Sequence, residues 1–275
     1  MNSMNTPTLD TGSLVLRLRA AGCVFAEEEA AILEESALDE AHLLRLCERR
    51  ERGEPLEQLV GWVDFGGLRL SVGPGVFIPR QRTLFLAGLT LTAARDHPHP
   101  VVLEAFSGAS PVAAWVAHHL PGATVHASDA DAVALAYAEQ NLGSGGVVSR
   151  GTVLSAVPPR FRGAVDVLAA VPPYVPEAEA AFMSRESREH EPGAAVYAGA
   201  DGLDFVRALI DEAGPWLSPS GRILLEMNRE QLAAAAAHGE EAGYDAERLV
   251  AEDGHTGVLC LSRSGSSALS YRQVT

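Results

Sequence analysis

The stretch VVLEAFSGASPVAAWVAHHLPGATVHASDADAVALAYAEQN, residues 101–141, decides the fold. It contains two short runs of β-prone apolar residues, VVLEAF and ATVHAS, and a segment with helical spacing follows each run. Strands that alternate with helices predict a parallel sheet with helices on both faces. Because ligands of that architecture bind at the carboxyl ends of the strands, the loops after these two strands are the first candidates for a functional site.

The same alternation continues toward the C-terminus. VVSRGTVL and VDVLAAV predict two more strands, DGLDFVRALIDEAG predicts a helix, and GRILLEM, ERLVAED and TGVLCLSR predict the last three strands. The predicted fold class is therefore α/β, with a Rossmann-like sheet of seven strands in a domain that spans residues 81–263. The small, polar tail at 264–275 is expected to be mobile.

The residues before this domain follow two other patterns. Apolar residues spaced among Arg and Glu between positions 13 and 52 predict two or three short helices, within a small helical region at 1–58. From Trp62 to Ile78 the sequence changes to short β-prone pieces punctuated by Gly66-Gly67 and Gly73-Pro74-Gly75. This pattern predicts a β-hairpin at 59–80 that links the helices to the main domain.

Composition excludes several classes of function. The 275 residues carry 21 basic and 36 acidic side chains, a net charge of -15, and no basic run, so we expect no nucleic-acid partner. The three cysteines show no CxxC spacing and the histidines no ligand pattern, so we expect buried thiols and no metal site. The N-terminus has no apolar leader and no apolar run is long enough to span a bilayer, which predicts a cytoplasmic protein without a membrane partner.

Several motifs along the chain resemble one enzyme family. They are GEPLEQLVGWVDFGGLRLSVGPGVFIPRQRT at 53–83, EAFSGAS at 104–110, the Asp that ends ATVHASD, the catalytic-loop segment VDVLAAVPPYVP at 165–176, and the later HEP, GADGLD and E-x-x-x-x-Q segments. Together they are similar to the release-factor glutamine methyltransferase (HemK or PrmC) family, most of all its actinobacterial relatives. The resemblance implies the class I S-adenosylmethionine methyltransferase fold. In relatives the segment that begins with Ile78-Pro79-Arg80 usually continues with a Glu, whereas in this chain Leu84 follows Arg82-Thr83.

The loop after the first strand departs from the family pattern D-L-G-x-G-S-G. Only Gly108 remains, Phe106 introduces a large ring, and Glu104 is one methylene longer than the family's Asp. Ser110-Pro111 predicts a helix start with Ser as the N-cap and Pro at the first helical position. A helix N-terminus preceded by Ser107 and Gly108 can attract an anion, although a tight turn without a ligand is an equal alternative.

The resemblance also implies how a cofactor would be held. Asp129 matches the acidic residue that hydrogen-bonds a ribose, and Thr152 stands where relatives have an Asp for the adenine amine. A hydroxyl is a weaker partner than a carboxylate. The predicted cofactor-binding residues are Asp129, Gly108, Ser107 and Thr152, and the predicted cofactor is none, or weakly bound S-adenosylmethionine.

The catalytic loop of the family reads Asn-Pro-Pro-Tyr, and here Val171 replaces the Asn. In relatives, that Asn and the first Pro carbonyl accept hydrogen bonds from the substrate amide. Val171 accepts nothing, while the Pro172 carbonyl and the Tyr174 ring remain. His190, beside Glu191, is a candidate proton shuttle, with a surface histidine as the alternative. The predicted catalytic residues are Tyr174, Pro172, Glu104 and His190, and the predicted substrate-binding residues are Phe77, Pro79, Arg80, Val171, Pro173 and Glu191.

Three functions remain open from the sequence. The altered motifs favour a repurposed enzyme that performs displacement, elimination, hydrolysis or ring closure on a small metabolite, anionic ones included, without S-adenosylmethionine. The second is an S-adenosylmethionine-dependent N-methyltransferase of a protein glutamine or a small amine, and the third is a non-catalytic partner subunit. The expected partner is a small-molecule substrate, with a protein partner or a homo-oligomer as further possibilities.

Overall fold

Between residues 10 and 60, four short helices pack around an apolar core of their own. The computed structural model describes residues 10–182 and 185–263, so the tail predicted to be mobile lies outside the described residues. Leu14, Leu18, Leu33 and Cys47 are buried together in this core. The helices are α1 (Thr11–Ala20), α2 (Ala26–Ser36), α3 (Glu40–Glu51) and α4 (Leu56–Val60).

The predicted hairpin follows these helices. It consists of β1 (Trp62–Phe65) and β2 (Leu68–Ser71), which pair antiparallel. Gly66 turns the chain with φ of 62°, and a Cβ atom there would lie 2.7 Å from the ring of Trp115, so only glycine fits. Phe65 and Leu70 are buried in the core of the main domain, which fixes the hairpin to it.

The main domain contains the seven-stranded sheet that the sequence predicts. Within the described residues the strand order is β5-β4-β3-β6-β7-β9-β8, with the last two pairings antiparallel. The strands are β3 (Val101–Ala105), β4 (Thr124–Asp129), β5 (Gly146–Arg150), β6 (Val165–Ala170), β7 (Leu217–Asn228), β8 (Tyr244–Val250) and β9 (Thr256–Arg263). The strands β3 to β7 run parallel, so their carboxyl ends meet at one edge of the sheet.

Helices cover both faces of the sheet and enclose two apolar cores. The helices α5, α6 and α7 lie on the face that also holds the hairpin, and α9 and α10 lie on the other. The helices of the domain are α5 (Leu84–Ala94), α6 (Pro111–His119), α7 (Ala132–Leu142), α8 (Arg185–His190), α9 (Asp204–Ala213) and α10 (Leu232–Glu241). The three cysteines Cys23, Cys47 and Cys260 are buried thiols, as predicted.

Helix α5 is the principal element that the sequence pattern does not reveal. Its sequence, LFLAGLTLTAA, has no polar face, because it packs against β6, β7 and α6 and is buried on most sides. Amphipathic spacing, the signal used for helices at the protein surface, is therefore absent. Strand β5 is also shorter than VVSRGTVL suggests, because it ends at Arg150 and the chain turns at Gly151.

Candidate functional site

A cavity of about 730 Å³ opens where the parallel strands end. This volume lies within the range of sites for small molecules and cofactors, and the position is the one that the strand pattern predicts. Twelve of the predicted site residues line it: Phe77, Pro79, Arg80, Glu104, Ser107, Gly108, Asp129, Thr152, Val171, Pro172, Pro173 and Tyr174.

The loop between β3 and α6 keeps left-handed backbone conformations although it has fewer glycines than the family pattern. Phe106, Gly108 and Ser110 all adopt positive φ, at 51°, 53° and 63°. The ring of Phe106 packs against Phe205 of α9, with ring centroids 5.4 Å apart. A Cβ atom on Gly108 would meet nothing within 4 Å, so the space beside this residue is open. The large ring that distinguishes this loop is thus held by α9.

Glu104 caps helix α6. Its carboxylate accepts hydrogen bonds from the Ser110 hydroxyl (2.8 Å) and from the backbone N–H groups of Val112 (3.1 Å) and Ala113 (2.8 Å). Burial raises the pKa of Glu104 to about 7, although these donors oppose the rise.

This arrangement corrects three predictions. The helix does begin at Pro111, but the side chain of Ser110 makes no cap hydrogen bond. Because Glu104 already occupies the N–H groups of Val112 and Ala113, a bound anion at this helix start is also wrong. The carboxylate of Glu104, which was predicted to be catalytic, instead caps helix α6.

Asp129 connects the loop after β3 to the loop after β4 through hydrogen bonds. One carboxylate oxygen accepts from the Gly108 N–H (2.8 Å) and the other from the Asp131 N–H (2.9 Å). Its side chain remains half-buried at the wall of the cavity, beside Thr152. A carboxylate fixed in this way keeps lone pairs for a ligand hydroxyl, so the geometry is compatible with the predicted ribose contact.

The segment Val171-Pro172-Pro173-Tyr174 also lines the cavity. The Tyr174 hydroxyl accepts a hydrogen bond from Nη2 of Arg82 (2.8 Å), and its backbone carbonyl accepts one from Nε2 of Gln231 (2.9 Å). Burial raises the pKa of Tyr174 above its ordinary value, so the phenol stays protonated at neutral pH. These contacts fix the loop and the ring at the cavity wall.

Glu226 and Arg82 belong to the site and were missed as site residues by sequence reasoning. Glu226 lies near the carboxyl end of the apolar strand β7, where its side chain is 1% exposed, and it accepts from the Thr83 hydroxyl at 3.1 Å. Nε of Arg82 lies 3.7 Å from the same carboxylate oxygen, Oε1. Burial raises the pKa of Glu226 to about 7, and Arg82 opposes the rise. A charged residue at the end of an apolar strand is the signal that could have identified it.

His190 and Glu191 were predicted in the site, but neither lines the cavity. Glu191 is buried and binds Nη2 of Arg80 through both carboxylate oxygens, at 2.6 and 2.7 Å. Arg80 also lies over the ring of Phe77, 4.8 Å from its centroid. At His190 the backbone carbonyl accepts from Gln58 at 3.3 Å. The structure therefore places neither residue in the cavity lining, and Glu191 and the His190 carbonyl instead contact Arg80 and Gln58.

Unsatisfied polar atoms concentrate in the cavity. Across the described ranges, five buried side-chain polar atoms have no hydrogen-bond partner, and three of them, Ser107 Oγ, Ser128 Oγ and Glu226 Oε2, belong to cavity-lining residues. Buried polar atoms in folded proteins normally have partners, so a ligand or ordered water is expected to satisfy these three. Together with Asp129 they provide what a polar cofactor such as S-adenosylmethionine requires.

Two negative findings apply to residues 10–182 and 185–263. No group of three or more His, Cys, Asp or Glu side chains in these ranges is arranged to hold a metal ion. No helix in the same ranges has both the length and the apolar character required to cross a bilayer.

Comparison with known proteins gives consistent relatives. The chain is 33% identical over 240 residues to a release factor glutamine methyltransferase of Streptomyces coelicolor, covering 81% of this chain and 85% of that protein. It is 33% identical over 195 residues to a 4-amino-L-phenylalanine/4-methylamino-L-phenylalanine methyltransferase of Streptomyces pristinaespiralis, covering 69% and 66% of the two chains. A solved Pyrococcus furiosus methyltransferase shares the fold, with a TM-score of 0.52, 17% identity and 82% and 97% coverage. No protein-family model matches the chain.

These relatives correct the cofactor prediction. They are named as methyltransferases, and enzymes of this kind use S-adenosylmethionine, so the expectation of no cofactor is wrong, whereas weakly bound S-adenosylmethionine, the other part of that prediction, is partly compatible with these relatives. Chemistry independent of S-adenosylmethionine has no support, and methyl transfer, which the sequence left as the alternative, is the better interpretation. The physical reason lies in the loop after β3, where Phe106 packs against α9 and the space beside Gly108 is open.

Proposed function

Because the chain belongs to the release factor glutamine methyltransferase family, we propose that it is an S-adenosylmethionine-dependent N-methyltransferase whose acceptor is an amine nitrogen of a small molecule. One observation carries the choice of acceptor. Val171 precedes Pro172 in the loop where the family resemblance implies an Asn that accepts a hydrogen bond from the substrate amide. An apolar side chain there removes the contact that orients an amide nitrogen.

Amide and amine nitrogens differ in nucleophilicity, and this difference favours an amine as the acceptor. The lone pair of an amide nitrogen is delocalised into its carbonyl group, so that nitrogen is a poor nucleophile that depends on precise positioning. A neutral amine has an available lone pair and needs less help. The loss of one positioning hydrogen bond, about 1 to 3 kcal/mol, therefore harms amide methylation far more than amine methylation.

The residues at the carboxyl ends of β3 and β4 would hold the methyl donor. Asp129 would accept from its ribose, and the hydroxyls of Ser107 and Ser128 supply further polar contacts. When bound, S-adenosylmethionine supplies an electrophilic methyl group on a positively charged sulfur. Val171 and Pro172 line the same cavity, and their apolar surface would reduce the access of water to an acceptor nitrogen bound there.

The acceptor side of the cavity suits a small, partly apolar amine. Phe77, Pro79, Pro173 and the ring of Tyr174 line it, while Arg82 lies at its more exposed rim. Binding sites for small molecules combine such apolar walls with a few polar groups that fix orientation. The Streptomyces pristinaespiralis relative, named for methylation of 4-amino-L-phenylalanine and its monomethyl form, lends support to an amine acceptor.

Methylation of a glutamine in a protein release factor is the second candidate. The Streptomyces coelicolor relative, named for this activity, matches over 85% of its own length and favours it. This candidate requires a protein partner, whose glutamine side chain would enter the same cavity.

Parallel assays with different acceptors test whether the methyl group goes to a small-molecule amine or to a release-factor glutamine. The protein would be incubated with S-adenosylmethionine carrying a trideuterated methyl group and either a panel of primary amines that includes 4-amino-L-phenylalanine or a bacterial peptide release factor. Mass spectrometry is expected to show the labelled methyl group on an amine. Label found only on the release-factor glutamine would replace the proposal with the second candidate, and label on neither would overturn it.

A further inference from the structure

Glu226 presents an unsatisfied carboxylate oxygen to the cavity. Its Oε1 accepts from Thr83 and faces Arg82, but Oε2 is buried and has no hydrogen-bond partner among the described residues. Leaving a buried acceptor unsatisfied costs about 1 to 3 kcal/mol, and more when the acceptor is charged. Such an arrangement is expected where a ligand supplies the missing donor.

The strand register places this oxygen beside the methyl-accepting position. Ala170 pairs with Leu225 across β6 and β7, and Val171 and Glu226 are the residues that directly follow this pair along their chains. Side chains of paired residues project to the same side of a sheet. Glu226 therefore stands next to the position at which Val171 replaces the family's amide-binding Asn.

A second contact joins Glu226 to the same loop. Arg82 lies 3.7 Å from the Glu226 carboxylate through Nε and donates to the Tyr174 hydroxyl at 2.8 Å through Nη2. Glu226 and Tyr174, held by one guanidinium group, thus border the space next to Pro172. An acceptor nitrogen bound beside Tyr174 would be the donor that the buried oxygen of Glu226 lacks.

We propose that Glu226 is a catalytic residue that binds the N–H of the acceptor amine through Oε2 and takes the proton released by methyl transfer. This inference rests on the proposed function, because it specifies the acceptor as a primary or secondary amine. In the transfer, the nitrogen lone pair forms the N–C bond, and the C–S bond electrons return to the sulfur of the methyl donor. The resulting alkylammonium or arylammonium group loses one proton to the Glu226 carboxylate, which later passes it to water.

The groups around Glu226 allow its carboxyl group to accept and release a proton. Arg82, from the segment before α5, stabilises the carboxylate, whereas Asp253, from the loop before β9, and burial favour the protonated form. Thr83 and Tyr174 are neutral hydroxyl groups at the same site. The resulting pKa of about 7 lets the carboxyl group accept and release a proton near neutral pH.

The test compares Glu226→Gln with the wild type for methylation of 4-amino-L-phenylalanine and the other amines of the panel, across pH 5.5 to 8.5. Gln preserves the shape of the side chain and removes the proton acceptor, so kcat/KM is expected to fall at least a hundredfold. The increase of kcat/KM with pH that ionisation of Glu226 causes is expected to disappear. Glu226→Asp should recover part of the activity and restore the pH-dependent rise. Glu230→Gln, an identical change at an exposed residue outside the cavity lining, is the matched control.

The outcomes separate the two proposals. If the wild type methylates an amine and Glu226→Gln does so equally well with the same pH profile, the role of Glu226 is overturned while the proposed function stands. If the wild type methylates no amine, both are overturned. Circular dichroism and thermal melting of each variant establish that it is folded before its activity is compared.

Discussion

Val171 and Glu226 each directly follow one member of Ala170–Leu225, the last parallel pair between β6 and β7. The Val171 side chain accepts no hydrogen bond, and Glu226 has a buried oxygen with no hydrogen-bond partner among the described residues. Because Glu226 is the Glu of the E-x-x-x-x-Q motif shared with the family, the change at Val171 removes an amide-type side chain from the cavity lining while this carboxylate stays. This relationship connects the altered catalytic loop to an amine acceptor.

The variant Val171→Asn tests this pair directly. The introduced side-chain N–H is expected to donate to Oε2 of Glu226 and so compete with the acceptor amine. We expect kcat/KM for the amine to fall roughly tenfold, equivalent to about 1.4 kcal/mol. Val171→Ala, which adds no donor, is the control. Equal rates for Val171→Asn and the wild type would show that the two side chains are not coupled.

The variant Arg82→Met should move the pH dependence of methyl transfer. The guanidinium group lowers the pKa of Glu226, so its removal raises that pKa, and the ionised form that accepts the proton is reached only at higher pH. The midpoint of the kcat/KM profile is expected to move upward by roughly half a unit or more, a modest shift because solvent screens the half-exposed Arg82. Arg82→Lys keeps the charge and should shift it less. A midpoint unchanged in Arg82→Met would contradict this electrostatic coupling.

Glu226 should also reduce stability as the pH rises. Its folded pKa of about 7 lies above the ordinary value of 4.5, so the folded state binds more protons than the unfolded state between these values. The free energy of unfolding attributable to Glu226 is therefore highest at low pH and falls as the pH rises to about 7. Relative to the wild type, Glu226→Gln should gain up to about 3 kcal/mol over that interval, measured by urea unfolding at several pH values. A difference independent of pH would be inconsistent with a raised pKa.

The capping role of Glu104 gives a prediction about stability. Glu104→Ala leaves the Ser110 hydroxyl and the N–H groups of Val112 and Ala113 without their buried acceptor. We expect a loss of about 3 kcal/mol or more in the free energy of unfolding. Asp131→Ala, which removes an exposed cap of α7, should cost only about 1 kcal/mol. Similar losses in the two variants would argue against a buried capping network at Glu104.

The fold could be predicted from the sequence because its signals are local. Alternating runs such as VVLEAF and ATVHAS each form a strand, and the glycines at positions 66 and 67 turn the hairpin. Helix α5 was not predicted because a helix buried on most sides has no polar face. Local patterns report how much of each segment faces water, so fully buried segments are ambiguous.

The candidate site was predicted in its location but not in all its contacts. The cavity at the strand ends is lined by twelve of the predicted residues, but one of them, Glu104, caps α6, and Glu191 pairs with Arg80 outside the cavity lining. The relation of Glu226 to Val171 depends on strand register between residues 55 positions apart, which no local motif reveals. The effect of Phe106 was misjudged because its side-chain direction depends on a left-handed backbone and on Phe205.

Calorimetric titration with S-adenosylmethionine and S-adenosylhomocysteine measures whether the altered loop after β3 still forms an S-adenosylmethionine site. We expect one ligand per chain with micromolar affinity, and an affinity at least tenfold weaker in Asp129→Ala, because that change removes the carboxylate at the predicted ribose position. The absence of binding by either ligand at millimolar concentration to the folded wild-type protein would contradict the account.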